Sequence, residues 1–122
     1  MARQVAQRVR NKLSLAWIHE AGARIQQEVL RLEEFREART VGLYLARPRE
    51  VGTDLLIEAC RAAGQRVCLP AYQKELECYG MARWDAGTPL RTGRFGIAEP
   101  QAPVWVPMSE IDLMIVTALA FD

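Results

Sequence analysis

The sequence predicts an α/β domain built on a parallel sheet, and three consecutive segments carry that expectation. "TVGLYLA" (40–46) is a compact apolar, β-branched run of strand length. "TDLLIEACRAAG" (53–64) has the form of a capped amphipathic helix, and "RVCLP" (66–70) is a second short apolar run, closed by a proline. Strand, loop, helix and strand within about 30 residues make a βαβ unit, whose crossover is right-handed and whose strands are therefore parallel.

The other elements follow along the chain. Residues 3–12 read as a short basic helix. Residues 15–33 read as a longer one, because Trp17, Ala21, Ile25, Val29 and Leu32 recur at spacings of four, four, four and three, a single helical stripe. Ser14 is placed to cap it. In the next helix Thr53 supplies the cap, Leu56, Cys60 and Ala63 the apolar face, and Gly64 the stop. "ELECYGMARW" (75–84) alternates weakly and reads as an edge strand. Residues 85–107 hold four of the six prolines and read as a long irregular connection, unusual in a compact domain unless it has a task. "IDLMIVTALAFD" (111–122) contains the last apolar run, a buried strand over 112–119 that rejoins a sheet left unfinished.

Composition narrows the function classes. At 122 residues the chain has room for one core, so 1–122 is read as a single domain. Half of the residues are hydrophobic and a quarter charged, as in ordinary soluble domains. Sixteen basic against fifteen acidic residues leave a formal charge of +1, which gives no support to an electrostatically driven nucleic-acid binder. The sequence has no apolar stretch of about 18 residues that would span a membrane, and its first residues lack the apolar core of a secretory signal. Cys60, Cys68 and Cys78 are eight and ten residues apart and the single histidine is His19, so no zinc-ligand spacing exists. Reduced, buried thiols in a cytoplasmic protein are the expectation.

No familiar catalytic arrangement is present: there is no GxxxxGK[ST], GxGxxG or GxSxG, and one histidine cannot support a triad. His19, beside the Trp17 stripe, reads as a surface or boundary residue. The informative loop is "ARPREVGTD" (46–54). It leaves the carboxyl end of a strand and enters a capped helix, where α/β proteins place ligands. Its Glu50, Arg47 and Arg49 fit either a solvated surface cluster or a carboxylate that accepts hydrogen bonds from an N–H-rich, pterin-like ring. "GRFGIAEP" (93–100) reads as a rigid loop closing over the sheet, with Phe95 and Ile97 as anchors. Trp84 and Trp105 read as packing residues.

Taken in order, several blocks resemble the 5-formyltetrahydrofolate cyclo-ligase (5,10-methenyltetrahydrofolate synthetase) family. They are "LS" (13–14), "EEFREARTVGLYL" (33–45), "REVGTDLLIEACRAAGQRVCLP" (49–70), "RWDAGTPL" (83–90), "GRFGIAEP" (93–100) and "EIDLMIVTALAFD" (110–122). "W..G.PL" followed by "FGI.EP", then "IDL" and "AFD", is a specific ordered set.

The resemblance implies a three-layer α/β/α sandwich with a mostly parallel sheet. It implies an enzyme of one-carbon metabolism dependent on ATP and Mg²⁺. ATP phosphorylates the formyl oxygen of 5-formyltetrahydrofolate, N10 attacks, and phosphate leaves to give 5,10-methenyltetrahydrofolate. By the same resemblance Glu50 and Leu45 contact the reduced folate and Arg3 contacts ATP, while no residue of this chain is assigned to the metal or to a catalytic role. The implied partner is the small-molecule substrate alone, without nucleic acid or membrane, for a cytoplasmic monomer. Departures from the family pattern are Gly52 after "EV" where aspartate is usual, Ala46-Arg47-Pro48-Arg49 in a loop usually rich in glycine, and Thr117 where proline is common. In the family "AFD" leads into G-x-R-L-G-x-G-x-G-Y-Y-D, which holds the ATP phosphates and the metal. The resemblance covers about the first two thirds of a family member. A C-terminally incomplete domain is therefore the expectation, with an inactive folate-binding or structural fragment as the alternative to the enzyme.

Overall fold

The structure, a computed structural model, describes residues 14–116. The basic helix expected over 3–12, Arg3, and residues 117–119 of the last expected strand lie outside them. Helices α1 (Leu15–Arg31) and α2 (Glu33–Glu37) precede β1 (Thr40–Gly42), and α3 (Asp54–Ala63) joins β1 to β2 (Arg66–Gln73). Next come β3 (Cys78–Arg83), β4 (Leu90–Thr92), β5 (Ala98–Pro100), β6 (Trp105–Val106) and β7 (Leu113–Met114). The main sheet has the order β6-β3-β2-β1-β7, and β4 pairs with β5 in a separate hairpin. β1 runs parallel to β2 and β7, whereas β3 is antiparallel to both β2 and β6. All the strands of this sheet except β3 therefore point the same way, giving the α/β class and mostly parallel sheet that the sequence predicts.

Local signals account for the helix ends. The Ser14 hydroxyl accepts the Trp17 N–H at 3.0 Å. Gly64 adopts φ +75° at the end of α3, where a side chain would be strained, and Gln65 N–H donates to the Cys60 carbonyl. The main core lies between the helices and one sheet face: Phe35, Ala38, Val41, Leu43, Leu56, Cys60, Val67 and Leu69 are buried there, with Val29, Leu30 and Ile57 against them. Ala63, expected on that face, is exposed. On the other sheet face Cys68, Met81 and Val106 form a smaller cluster with Ile111 and Met114. Among the described residues the helices cover only the first face, so these supply two of the three layers expected.

The helix expected over 15–33 breaks at Leu32, which has extended angles, and of its expected stripe only Val29 packs on the core, with Ala21 half-buried. Trp17 is 50% exposed and Ile25 and Leu32 are each 47% exposed, while Ile18, Gly22 and Gln26 form the buried line. Apolar residues occupy a wide arc of α1, and close approach selects among them. A Cβ on Gly22 would stand 3.3 Å from the Gly52 nitrogen, so α1 docks its thinnest face against the loop at 51–52.

Three more expectations change in the sheet. β2 does not stop at its proline but continues to Gln73. Backbone polar groups alternate sides along a strand, and the Cys68 carbonyl accepts Leu43 N–H from the β1 side. Pro70 therefore turns its nitrogen, which carries no hydrogen, toward that side just beyond the last β1 pair, Gly42–Cys68. The segment over 75–84 is not an edge: β3 is flanked by β2 and β6. The connection over 85–107 contains the β4–β5 hairpin and β6. Trp84 does pack, with its indole N–H on the Thr88 carbonyl and the Arg61 guanidinium 4.2 Å from its ring centroid. Trp105 instead stands on edge strand β6, half exposed, in the wall of an open groove of about 420 Å³ with Tyr79, Met81 and Met108.

Cys60 and Cys68 are buried, but Cys78 is exposed, contrary to the uniform burial expected. Burial pushes the Cys60 thiol up to about 11 and raises that of Cys68. Both are thereby held in the unreactive neutral form.

Candidate functional site

A cavity of about 570 Å³ opens at the carboxyl end of β1, where the chain leaves the sheet for α3. Its volume falls within the range of small-molecule sites. One wall is α1, through His19, Ala23 and Gln26; the other is the 45–57 segment, including Leu45, Arg47, Glu50, Gly52 and Asp54. The two residues that resemblance assigns to the folate, Leu45 and Glu50, thus line the same cavity. Leu45 also packs against the main core, so it forms an apolar floor continuous with the interior.

The carboxylate is held in place by its own turn. Glu50 N–H donates to the Arg47 carbonyl at 2.9 Å, and Arg47 N–H donates to Glu50 Oε1 at 2.7 Å. Two reciprocal bonds fix the side chain before any ligand arrives. A carboxylate has room for further donors at its remaining lone pairs. Tyr44 and Thr53 brace the ends of this loop: Tyr44 O–H donates to the Val51 carbonyl at 2.7 Å, and Thr53 O–H donates to the Tyr44 carbonyl at 2.7 Å.

That use of Thr53 changes the expected cap. Thr53 sits at the N-cap position, but its hydroxyl does not cap the helix. Gln26, 3% exposed on α1, does so from 28 to 30 residues away. Its Oε1 accepts Leu55 N–H at 2.8 Å and Leu56 N–H at 3.2 Å, and its Nε2 donates to Asp54 Oδ1 at 3.1 Å. The free amides at the start of α3 are thereby satisfied from another element. Sequence reading missed this residue, because a glutamine in an amphipathic helix carries no sign of a partner so distant.

The β4–β5 hairpin reaches the same region. Arg47 Nη2 donates to the Phe95 carbonyl at 3.1 Å, joining the 46–54 loop to the hairpin tip. Phe95 is not the anchor expected. It is 71% exposed with φ +60°, and Gly96 beside it has φ +71°. The tip is held through its neighbours instead. The Arg94 guanidinium lies 4.5 Å from the Tyr72 ring centroid. The base of the hairpin is held by buried Glu99, whose Oε1 accepts Arg91 Nε–H and Nη2–H and whose Oε2 accepts Tyr72 N–H at 3.1 Å. Tyr72 N–H faces the side that β1 has vacated, so Glu99 supplies the acceptor that the missing strand would have given. Gly93 makes room for this carboxylate, since a Cβ there would lie 2.5 Å from the Glu99 Cδ.

Among the described residues no group of three or more His, Cys, Asp and Glu side chains is placed to hold a metal ion. None of the described helices is long and apolar enough to cross a membrane.

Comparison with known proteins gives this geometry a context. The chain is 30% identical over 118 residues to a 5-formyltetrahydrofolate cyclo-ligase from Haemophilus influenzae, an alignment covering 94% of this chain and 63% of that protein. It also matches the NMR structure of 5,10-methenyltetrahydrofolate synthetase from Aquifex aeolicus with a TM-score of 0.85 at 24% identity, over 99% of this chain and 61% of the other. The chain therefore spans less than two thirds of the length of each. The second likeness establishes the fold. The family model of the 5-formyltetrahydrofolate cyclo-ligases matches residues 2–122, a span that contains the βαβ unit, the Glu50 turn and the β4–β5 hairpin, and this chain belongs to the 5-formyltetrahydrofolate cyclo-ligase family.

Proposed function

We propose that this chain carries the reduced-folate site of a 5-formyltetrahydrofolate cyclo-ligase, which converts 5-formyltetrahydrofolate to 5,10-methenyltetrahydrofolate at the expense of ATP. The observation that carries the reading is the convergence of Leu45 and the pre-oriented Glu50 on one cavity at the carboxyl edge of the sheet. A pterin presents several N–H donors along one edge, and a fixed carboxylate is the complementary acceptor. Leu45 offers the apolar surface that a flat ring buries.

ATP, when bound, supplies the phosphoryl group that turns the formyl oxygen into a leaving group. Arg3, its contact by resemblance, lies outside the described residues. Residues 14–116 present no set of metal ligands for Mg²⁺. What these residues do in the reading is to bind the folate, orient its pterin edge and wall it from solvent. The reading further takes residues 1–122 as belonging to one cyclo-ligase domain, acting as a cytoplasmic monomer with the reduced folate as its partner.

The test is calorimetric titration of the purified chain with 5-formyltetrahydrofolate, followed by an absorbance assay for methenyl product with ATP and Mg²⁺. Glu50→Gln keeps an acceptor for Arg47 N–H but removes the charge, whereas Glu50→Ala removes both. A hydrogen bond to a charged group contributes about 1.5–3 kcal/mol, so each variant should bind roughly 10- to 100-fold more weakly. Affinity retained in both removes Glu50 from the site. Wild-type binding without product identifies a folate-binding module, and no binding by folded wild-type chain overturns the reading.

A further inference from the structure

The walls of the 570 Å³ cavity hold several polar side chains, and most already have partners inside the protein. Gln26 uses its oxygen on two α3 amides and its nitrogen on Asp54. The Thr53 hydroxyl is engaged by the Tyr44 carbonyl, Arg47 reaches the Phe95 carbonyl, and Glu50 accepts from Arg47. The helix amides that would otherwise attract an anion at the α3 N-terminus are taken by Gln26. His19 is different. It lies on the cavity face of α1, one turn before Ala23 and two before Gln26, and no hydrogen bond or ion pair engages it among the described residues.

We propose that His19 is a specificity-determining residue that recognises the carbonyl- and carboxylate-bearing tail of the folate, while Glu50 recognises the pterin. The proposal rests on the folate reading above and names a second pole of the same site. The cavity has its donor-seeking carboxylate on the loop wall and an uncommitted imidazole on the helix wall. An imidazole N–H donates to a carbonyl or carboxylate oxygen. A reduced folate carries N–H donors at its pterin end and acceptor oxygens at its aminobenzoyl-glutamate end, so its polarity matches that of the cavity in one orientation. A free pterin would satisfy the Glu50 wall and leave His19 without a partner. Discrimination of folate from pterin would therefore sit on α1, with the core and the loop untouched. His19 is exposed in the ligand-free chain, so its replacement leaves the fold intact.

The test is titration of wild type, His19→Ala, His19→Gln and Glu50→Gln with two probes, 5-formyltetrahydrofolate and a tetrahydropterin that lacks the aminobenzoyl-glutamate. His19→Ala should weaken folate binding about tenfold and leave pterin binding unchanged. His19→Gln, which restores an N–H donor, should recover part of the loss, an outcome that a packing role would not produce. Glu50→Gln should weaken both probes. Equal folate affinity in His19→Ala and wild type overturns the proposal while leaving the folate reading intact, and so does an equal loss for both probes. Failure of folded wild-type chain to bind folate overturns the folate reading and this inference with it.

Discussion

Replacing Gln26 with alanine removes three hydrogen bonds at the junction of α1, the Glu50 loop and α3. A typical internal bond contributes about 1 kcal/mol net, and loss of a helix cap costs about the same. The two amides left behind, on Leu55 and Leu56, are not both dry: Leu56 is buried and Leu55 half-buried, so only the first bears a full desolvation cost. The sum is about 3 kcal/mol. For a domain near this size 1 kcal/mol moves the melting temperature by roughly 4–8 °C, so Gln26→Ala should melt roughly 15 °C below wild type by circular dichroism. Gln26→Glu keeps an acceptor for both amides but sets a second carboxylate beside Asp54, and should recover most stability only when Asp54→Asn accompanies it. A double-mutant cycle measures that coupling. A fall of less than about 4 °C in Gln26→Ala would refute the assignment of Gln26 as the cap of α3.

Asp112 accepts N–H bonds from Arg39 and Thr40, and these hold its carboxyl below the ordinary value of 3.8. A lowered folded pKa contributes stability that is present above the unfolded value and lost as pH falls through the folded one. The difference in melting temperature between wild type and Asp112→Ala should therefore be largest near neutrality and shrink below about pH 4. Gly93→Ala places a Cβ against Glu99 and must displace the carboxylate that holds the hairpin to β2; the expected loss is about 2–3 kcal/mol, read as a shifted urea midpoint. In native protein at pH 8 a maleimide should label Cys78 alone, with Cys60 and Cys68 reacting only after denaturation, as mass spectrometry would show.

Much of the architecture was legible because its signals are local. The Ser14 cap and the left-handed Gly64 stop act over four residues or fewer, and each has the conformation expected. The apolar run at 40–46 starts as the buried strand expected but stops at Gly42, so residues 43–46 already belong to the loop. The Glu50 loop was legible for a related reason: strand, loop and helix in sequence put it at the carboxyl edge of the sheet, and the turn that holds its carboxylate spans only residues 47–50.

The remainder depends on partners that are remote in sequence. Which face of α1 is buried was decided by the contact of Gly22 with Gly52, not by the apolar stripe, because a helix with apolar residues around a wide arc can dock in more than one rotation. Pro70 read as a strand end since it lacks an N–H, but the early departure of β1 left no partner there to miss one. The roles of Gln26 and Glu99 could not be read locally either, because their backbone partners lie 27 to 30 residues away. His19 is the same case at the cavity. The sequence by itself determined the α/β class, the strand–helix–strand order of residues 40–70 and the loop that carries Glu50, since these follow from periodicity and short-range backbone chemistry. Only the tertiary structure decided which helix face closes the cavity and which polar groups are left uncommitted within it, because hydrogen-bond satisfaction is settled among all elements together.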